Sequence, residues 1–199
     1  MKKLVLAILL LSFSSLPISA QDDSPPPPLI YLAPRADEIK EFASKENNFS
    51  IGFPGVPKVD TKPAKEFTSA IFRVYRHGSS SLVSVWQFKK NVENRQEEIL
   101  KKYRESILNL APPFPGAQFP KPSIISETDI QIGKYKGKEL AYEADLRFVR
   151  VRLLFVGKRV YEIKTDVTNW HILTKYQKDK AADFAKETER FFSSFRLLN

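Results

Sequence analysis

Three carboxylates in the second half of the chain have a spacing that could place them on one face of a β-strand. Glu139, Glu143 and Asp145 are separated by even numbers of residues, and side chains two residues apart in a strand point to the same face. Such a row could hold a hard cation or supply acid–base catalysis. Arg150 and Arg152 lie on the next predicted strand, so ion pairing across the two strands is the simpler interpretation.

Other catalytic chemistry is limited by the residue types present. The chain has 2 His and no Cys, which excludes thiol catalysis and thiolate-bound metals and leaves too few ligands for a His-rich site. His77 lies in a predicted turn, and His171 follows the last predicted strand. We therefore expect no cofactor, no bound metal and no enzymatic activity. The alternative is a carboxylate-based metal-binding protein or hydrolase that uses the carboxylate row or His171.

A proline-rich loop is the most unusual segment of the chain. Residues 111–123 read APPFPGAQFPKPS, and their five prolines prevent regular helix or interior strand. Two phenylalanines on a stiff loop beside basic side chains suggest a docking surface. Alternatively, both rings pack against the domain. The predicted binding residues are Phe114, Phe119, Lys121, Arg150 and Arg152.

The N-terminus has the pattern of a cleaved secretory signal peptide over residues 1–20. Lys2 and Lys3 precede an apolar run from Leu4 to Phe13, and Ala20 ends a stretch of small residues. An apolar run of this length is shorter than the roughly 20 residues that cross a bilayer, so we expect no integral membrane anchor. The sequence thus predicts an exported protein, periplasmic or extracellular after cleavage near Ala20.

Charge is unevenly distributed along the chain. The formal net charge is +9, yet residues 21–49 carry six acidic side chains against three basic ones. The remaining basic excess could attract a protein or an anionic polymer of the cell envelope. Because the basic residues are scattered and form no Lys/Arg block, a solubilising surface is the simpler interpretation. We expect no nucleic acid partner for an exported chain.

Composition divides the chain into a lead-in and one domain. Residues 21–48 form an acidic, proline-rich lead-in, because the four consecutive prolines Pro25–Pro28 favour an extended spacer. Within this lead-in, residues 36–45 could form a short helix. Residues 49–199 have the hydrophobic content of a single folded domain.

The domain alternates between strand and helix patterns. Strands are predicted at 49–53, 66–76, 81–89, 124–132, 137–144, 148–156 and 159–167, and helices at 92–110 and 178–195. Gly157-Lys158 predicts a two-residue hairpin turn that sets Leu154 opposite Tyr161 and Arg152 opposite Ile163. Apolar residues on both faces of several strands predict an antiparallel sheet covered by helices.

Several of these segments resemble the exported bacterial domains of the PsbP-like group. The resemblance covers about residues 49–199 and is carried by the first strand, FSIGFPGVP, the hairpin FVGKRVY at 155–161, and the closing FFSSF at 191–195. It implies an α+β fold: an antiparallel sheet of about six strands with helices on its faces, an α/β/α sandwich shared with the Ran-binding Mog proteins. It also implies an exported, non-catalytic binding or accessory domain, and it transfers no functional residue.

Overall fold

A computed structural model describes residues 38–76, 78–111 and 120–198. Of these described residues, 51% lie in strands and 27% in helices, and the strands form two antiparallel sheets. The expected α+β fold, a sheet of about six strands in a PsbP-like α/β/α sandwich, is therefore wrong. The protein is β-rich, with ten strands and three α-helices in its described residues.

The larger sheet has seven strands: Lys58–Pro63 (β3), Phe67–Arg76 (β4), Ser79–Phe88 (β5), Ser123–Ile132 (β6), Tyr135–Ala144 (β7), Arg147–Val156 (β8) and Arg159–Thr168 (β9). Their order across the sheet is β3-β4-β5-β9-β8-β7-β6. All of its neighbouring strands are antiparallel, and β9 is the central strand.

The strand register confirms the local hairpin predictions. Leu154 pairs with Tyr161 and Arg152 with Ile163 across the turn at Gly157. Gly157 has a φ of 56°, a left-handed conformation that glycine adopts without steric cost. The hairpin of β4 and β5 is also present. The edge strand β3 was not predicted, because all of its residues are exposed and it lacks the alternation of apolar and polar residues that marks a half-buried strand.

The smaller sheet explains why the predicted fold class was wrong. It consists of Lys40–Ser44 (β1), Phe49–Phe53 (β2) and Arg196–Leu197 (β10), in the order β1-β2-β10. β1 occupies residues for which a helix was predicted. A turn at residues 45–48, with Asn48 at a φ of 59°, folds β1 back onto β2. β1 also extends the folded region upstream of the expected domain start at residue 49.

Two main clusters of buried side chains lie on opposite faces of the larger sheet. One face packs against the helix Gln96–Leu108 (α1), with Val92, Ile99 and Leu100 in its cluster. The other packs against the smaller sheet and the helix Lys178–Ser194 (α3), whose Phe191 and Phe192 are buried. A sheet therefore covers part of a face that a helix was expected to cover.

The helices α1 and α3 are close to the predicted positions, 92–110 and 178–195. A short 3₁₀ turn, Glu93–Arg95, precedes α1, and a helix at Trp170–Tyr176 (α2) was not predicted. No helix within the described residues has both the length and the apolar character of a membrane span.

Candidate functional site

The predicted binding residues Arg150 and Arg152 lie in an ion cluster between the sheet and α3. Both guanidinium groups donate hydrogen bonds to Glu139, and the Nε–Oε2 distance from Arg152 is 2.6 Å. Arg150 Nη1 also lies 2.6 Å from Oε1 of Glu189 on α3. The prediction that Glu139 pairs with the two arginines across neighbouring strands is confirmed.

An aromatic ring and partial burial complete this cluster. The guanidinium carbon of Arg152 lies 4.5 Å from the ring centroid of Phe192, and that of Arg150 lies 5.4 Å from it. Burial of Glu139 opposes ionisation, but hydrogen bonds from the two arginines outweigh that effect and lower its pKa. Because the positive charges of both arginines are already compensated inside the protein, this cluster fits a structural tie to α3 better than a docking surface.

Lys121 lies at the other predicted location, beside a small cavity at one end of the larger sheet. The cavity has a volume of about 250 Å³, and its lining includes Lys121, Glu143, Asp145, Trp170 and His171. Three residues of the alternative hypothesis thus meet here, whereas Glu139 lies in the ion cluster. The described part of the chain contains no group of three or more His, Cys, Asp or Glu side chains arranged to hold a metal ion.

The remaining predicted residues lie outside the described ranges. Phe114 and Phe119 fall in the gap between residues 111 and 120, and His77 forms a gap of its own. The proposed signal peptide and most of the lead-in, residues 1–37, are also outside the description. Their predicted roles therefore stay predictions.

A basic surface lies at the opposite end of the larger sheet from Lys121. Four connections meet at that end: β3 to β4, β5 to the 3₁₀ turn, β6 to β7, and β8 to β9. Each of them carries at least one lysine. We call this surface the lysine end. The connections contribute Lys65, Lys89, Lys90, Lys134 and Lys158, and the adjoining strand ends contribute Lys62 and Lys136. Lys45 belongs to it as well, because Arg159 at the start of β9 donates a hydrogen bond to the carbonyl of the next residue, Glu46.

The lysines of this end are exposed and form no ion pair with the carboxylates that the structure describes. All eight lysines are exposed to solvent, and none forms an ion pair with another described residue. Three acidic side chains lie near these lysines: Glu46 follows Lys45 in the turn between β1 and β2, and Glu66 and Glu93 lie beside the connections. Glu66 contacts Arg95 and Lys102, and Glu93 accepts a hydrogen bond from the Gly157 amide at 2.8 Å. Within the described residues, this end therefore carries more positive than negative charge.

Sequence reasoning missed the lysine end because its members are far apart in the chain. Lys65 and Lys158 are separated by 93 residues in the sequence, yet both lie in connections at the same end of one sheet. No window of the sequence contains a basic block. Hairpin turns of an antiparallel sheet alternate between its two ends, so every second turn lies at the same end. The sequence signal for this site is therefore that every second turn contains a lysine.

Comparisons with known proteins assign no family. No protein-family model matches the chain, and no curated protein matches it either. Among solved structures, the chain is similar to a crystal structure from Bacteroides thetaiotaomicron VPI-5482, with 13% sequence identity and a TM-score of 0.42. That match covers 81% of this chain and 49% of the other, so this chain spans about half of that protein's length. The resemblance to the PsbP-like group stays a prediction.

Proposed function

We propose that this protein is an exported, non-catalytic binding domain that docks an anionic partner through the lysine end. One observation carries the proposal: every strand connection at that end of the larger sheet presents an exposed lysine without a carboxylate partner among the described residues. Clustered charges of one sign create a local potential that attracts opposite charge and accelerates association.

The type of basic residue agrees with this function. A lysine ammonium is a strongly hydrated point charge on a flexible stem, whereas arginine presents a planar fork suited to bidentate contacts. A set of eight exposed lysines suits an extended negative surface better than one compact anion. In contrast, Arg150 and Arg152 already pair with carboxylates of the protein: both contact Glu139, and Arg150 also contacts Glu189.

The docking test compares two variants of equal net charge. The docking variant replaces one lysine in each connection with glutamine: Lys65, Lys89, Lys134 and Lys158. The control variant makes the same change at four exposed lysines elsewhere that form no ion pair within the described residues: Lys40, Lys101, Lys178 and Lys186. Residues 21–199 are loaded on phosphocellulose and eluted with a NaCl gradient.

We expect the docking variant to elute at clearly lower salt than the control variant, because it alone removes charge from the contact surface. Circular dichroism is the control that both variants are folded. If the two variants elute together, retention depends only on net charge, and the lysine end is not a docking surface.

The export part of the proposal rests on the signal pattern of residues 1–20. Expression of the full chain in a bacterial host, followed by N-terminal sequencing of the accumulated protein, tests it. We expect the mature chain to begin near Gln21 and to be recovered in the envelope fraction and not in the cytoplasmic fraction. An uncleaved chain in the cytoplasmic fraction would contradict export.

A further inference from the structure

We infer that the partner of the lysine end is a linear polyanion of phosphate groups, which lies across the strand ends of the larger sheet. This inference rests on the proposed docking function and specifies its ligand. It follows from the strand order, which places the four lysine-bearing connections of the larger sheet in a line.

The order of the strands sets this line. Going across the sheet, the connection with Lys65 joins β3 and β4, Lys89 and Lys90 follow β5, Lys158 joins β8 and β9, and Lys134 joins β6 and β7. Neighbouring strands lie about 4.8 Å apart, so successive lysine-bearing connections are about 7 to 10 Å apart and the whole row is about 24 Å long. Charges repeated along a row match charges repeated along a chain.

Backbone hydrogen bonds hold the middle of the row in place. The Val92 amide donates to the Gly157 carbonyl, and the Phe88 amide donates to the Lys158 carbonyl, both at 2.8 Å. The connection after β5 is thereby tied directly to the turn between β8 and β9. Backbone connections that are fixed before binding lose less conformational entropy when a ligand binds.

An open cavity continues the row toward the last connection. It has a volume of about 530 Å³ and lies between the turns at Gly157 and Lys134, with Lys134, Lys136, Tyr135 and Glu93 among its lining residues. It provides a path between the third and fourth lysine-bearing connections. A compact anion would contact only one or two of these positions, whereas an extended chain contacts all of them.

The test measures binding of three probes to residues 21–199 by isothermal titration calorimetry at equal phosphate concentration. The probes are long-chain inorganic polyphosphate, tripolyphosphate, and vesicles that contain phosphatidylglycerol in phosphatidylcholine. The Lys65/Lys89/Lys134/Lys158 glutamine variant and the Lys40/Lys101/Lys178/Lys186 glutamine variant are titrated in parallel.

We expect long-chain polyphosphate to bind at least about tenfold more tightly per phosphate than tripolyphosphate, since each lysine contact releases further counterions. The docking variant should lose about tenfold or more of that affinity, and the control variant much less. Equal affinity per phosphate for long-chain polyphosphate and tripolyphosphate would overturn the linear polyanion but leave anion docking intact. Tighter binding to the vesicles than to polyphosphate would have the same consequence. Failure of all three probes would overturn the docking function as well.

Discussion

The hydroxyl group of Tyr103 on α1 donates a hydrogen bond to Oε1 of Glu162 on the central strand β9, at 2.8 Å. Glu162 is only 8% exposed, and Lys164 Nζ lies 3.6 Å from the same carboxylate oxygen. Burial raises the pKa of Tyr103 well above its usual value, and the negative charge of Glu162 raises it further. The hydroxyl therefore stays protonated and serves as a donor that joins α1 to the middle of the sheet.

Replacing Tyr103 with phenylalanine should destabilise the protein by about 1–3 kcal/mol, because it deprives a buried carboxylate of its hydrogen-bond donor. Tyr176→Phe is the matched control, since Tyr176 is 53% exposed and its substitution should change the free energy of unfolding by less than about 0.5 kcal/mol. Urea denaturation measures both. Equal effects would show that the Tyr103–Glu162 bond contributes nothing specific.

Replacing Glu139 with glutamine should cost about 2–4 kcal/mol, because it removes the carboxylate shared by two partly buried arginines. Glu189→Gln should cost less than about 1 kcal/mol, since the Glu189 side chain is 56% exposed and water screens its ion pairs. Chemical denaturation at neutral pH gives both values. A larger effect at Glu189 than at Glu139 would contradict this account of the cluster.

The stability that Glu139 provides should disappear in acid. Its pKa is lowered in the folded protein, so the unfolded state binds a proton more readily, and the contribution is present above the usual glutamate pKa of about 4.3. It is lost as the pH falls through the lowered folded-state pKa. The stability difference between wild type and Glu139→Gln should therefore shrink from pH 7 to pH 3 in urea denaturation. A difference that stays constant would show that the ionised carboxylate is not the stabilising form.

Two glycines in or next to one hairpin should respond differently to alanine. A Cβ at Gly137 would lie 2.2 Å from the carbonyl oxygen of Leu153, so the backbone must move, at a cost of about 2–3 kcal/mol. A Cβ at Gly133 meets nothing within 4 Å, and only its φ of 60° opposes the change, at about 1–2 kcal/mol. Thermal unfolding ranks the two variants. A Gly133 variant that is less stable than the Gly137 variant would contradict the close approach of Gly137 to the Leu153 carbonyl.

Local structure was predictable where short-range chemistry determines it. The turn at Gly157 fixes the register of β8 and β9, and the spacing of Phe184, Phe191 and Phe192 marks the buried face of α3. β1 was not predictable in this way. Its residues 40–44 show no strict alternation, and Phe42 is held among Phe49, Phe53 and Phe72 by tertiary contacts.

The candidate site was only partly predictable, for a related reason. The pairing of Glu139 with Arg150 and Arg152 depends on two adjacent strands, so strand spacing alone suggested it. The lysine end depends on the order of all seven strands, in which β9 returns to the centre beside β5. That order places turns from distant parts of the sequence side by side, and no local pattern encodes it.

Lysine footprinting tests the central claim most directly, because it reports on every lysine of the unmodified protein at once. The protein is acylated with and without long-chain polyphosphate, and the modified sites are quantified by mass spectrometry. We expect strong protection of Lys65, Lys89, Lys90, Lys134 and Lys158, and little change at Lys40, Lys101 and Lys178. Uniform protection of all lysines, or protection centred on Lys121 at the opposite end, would contradict that claim.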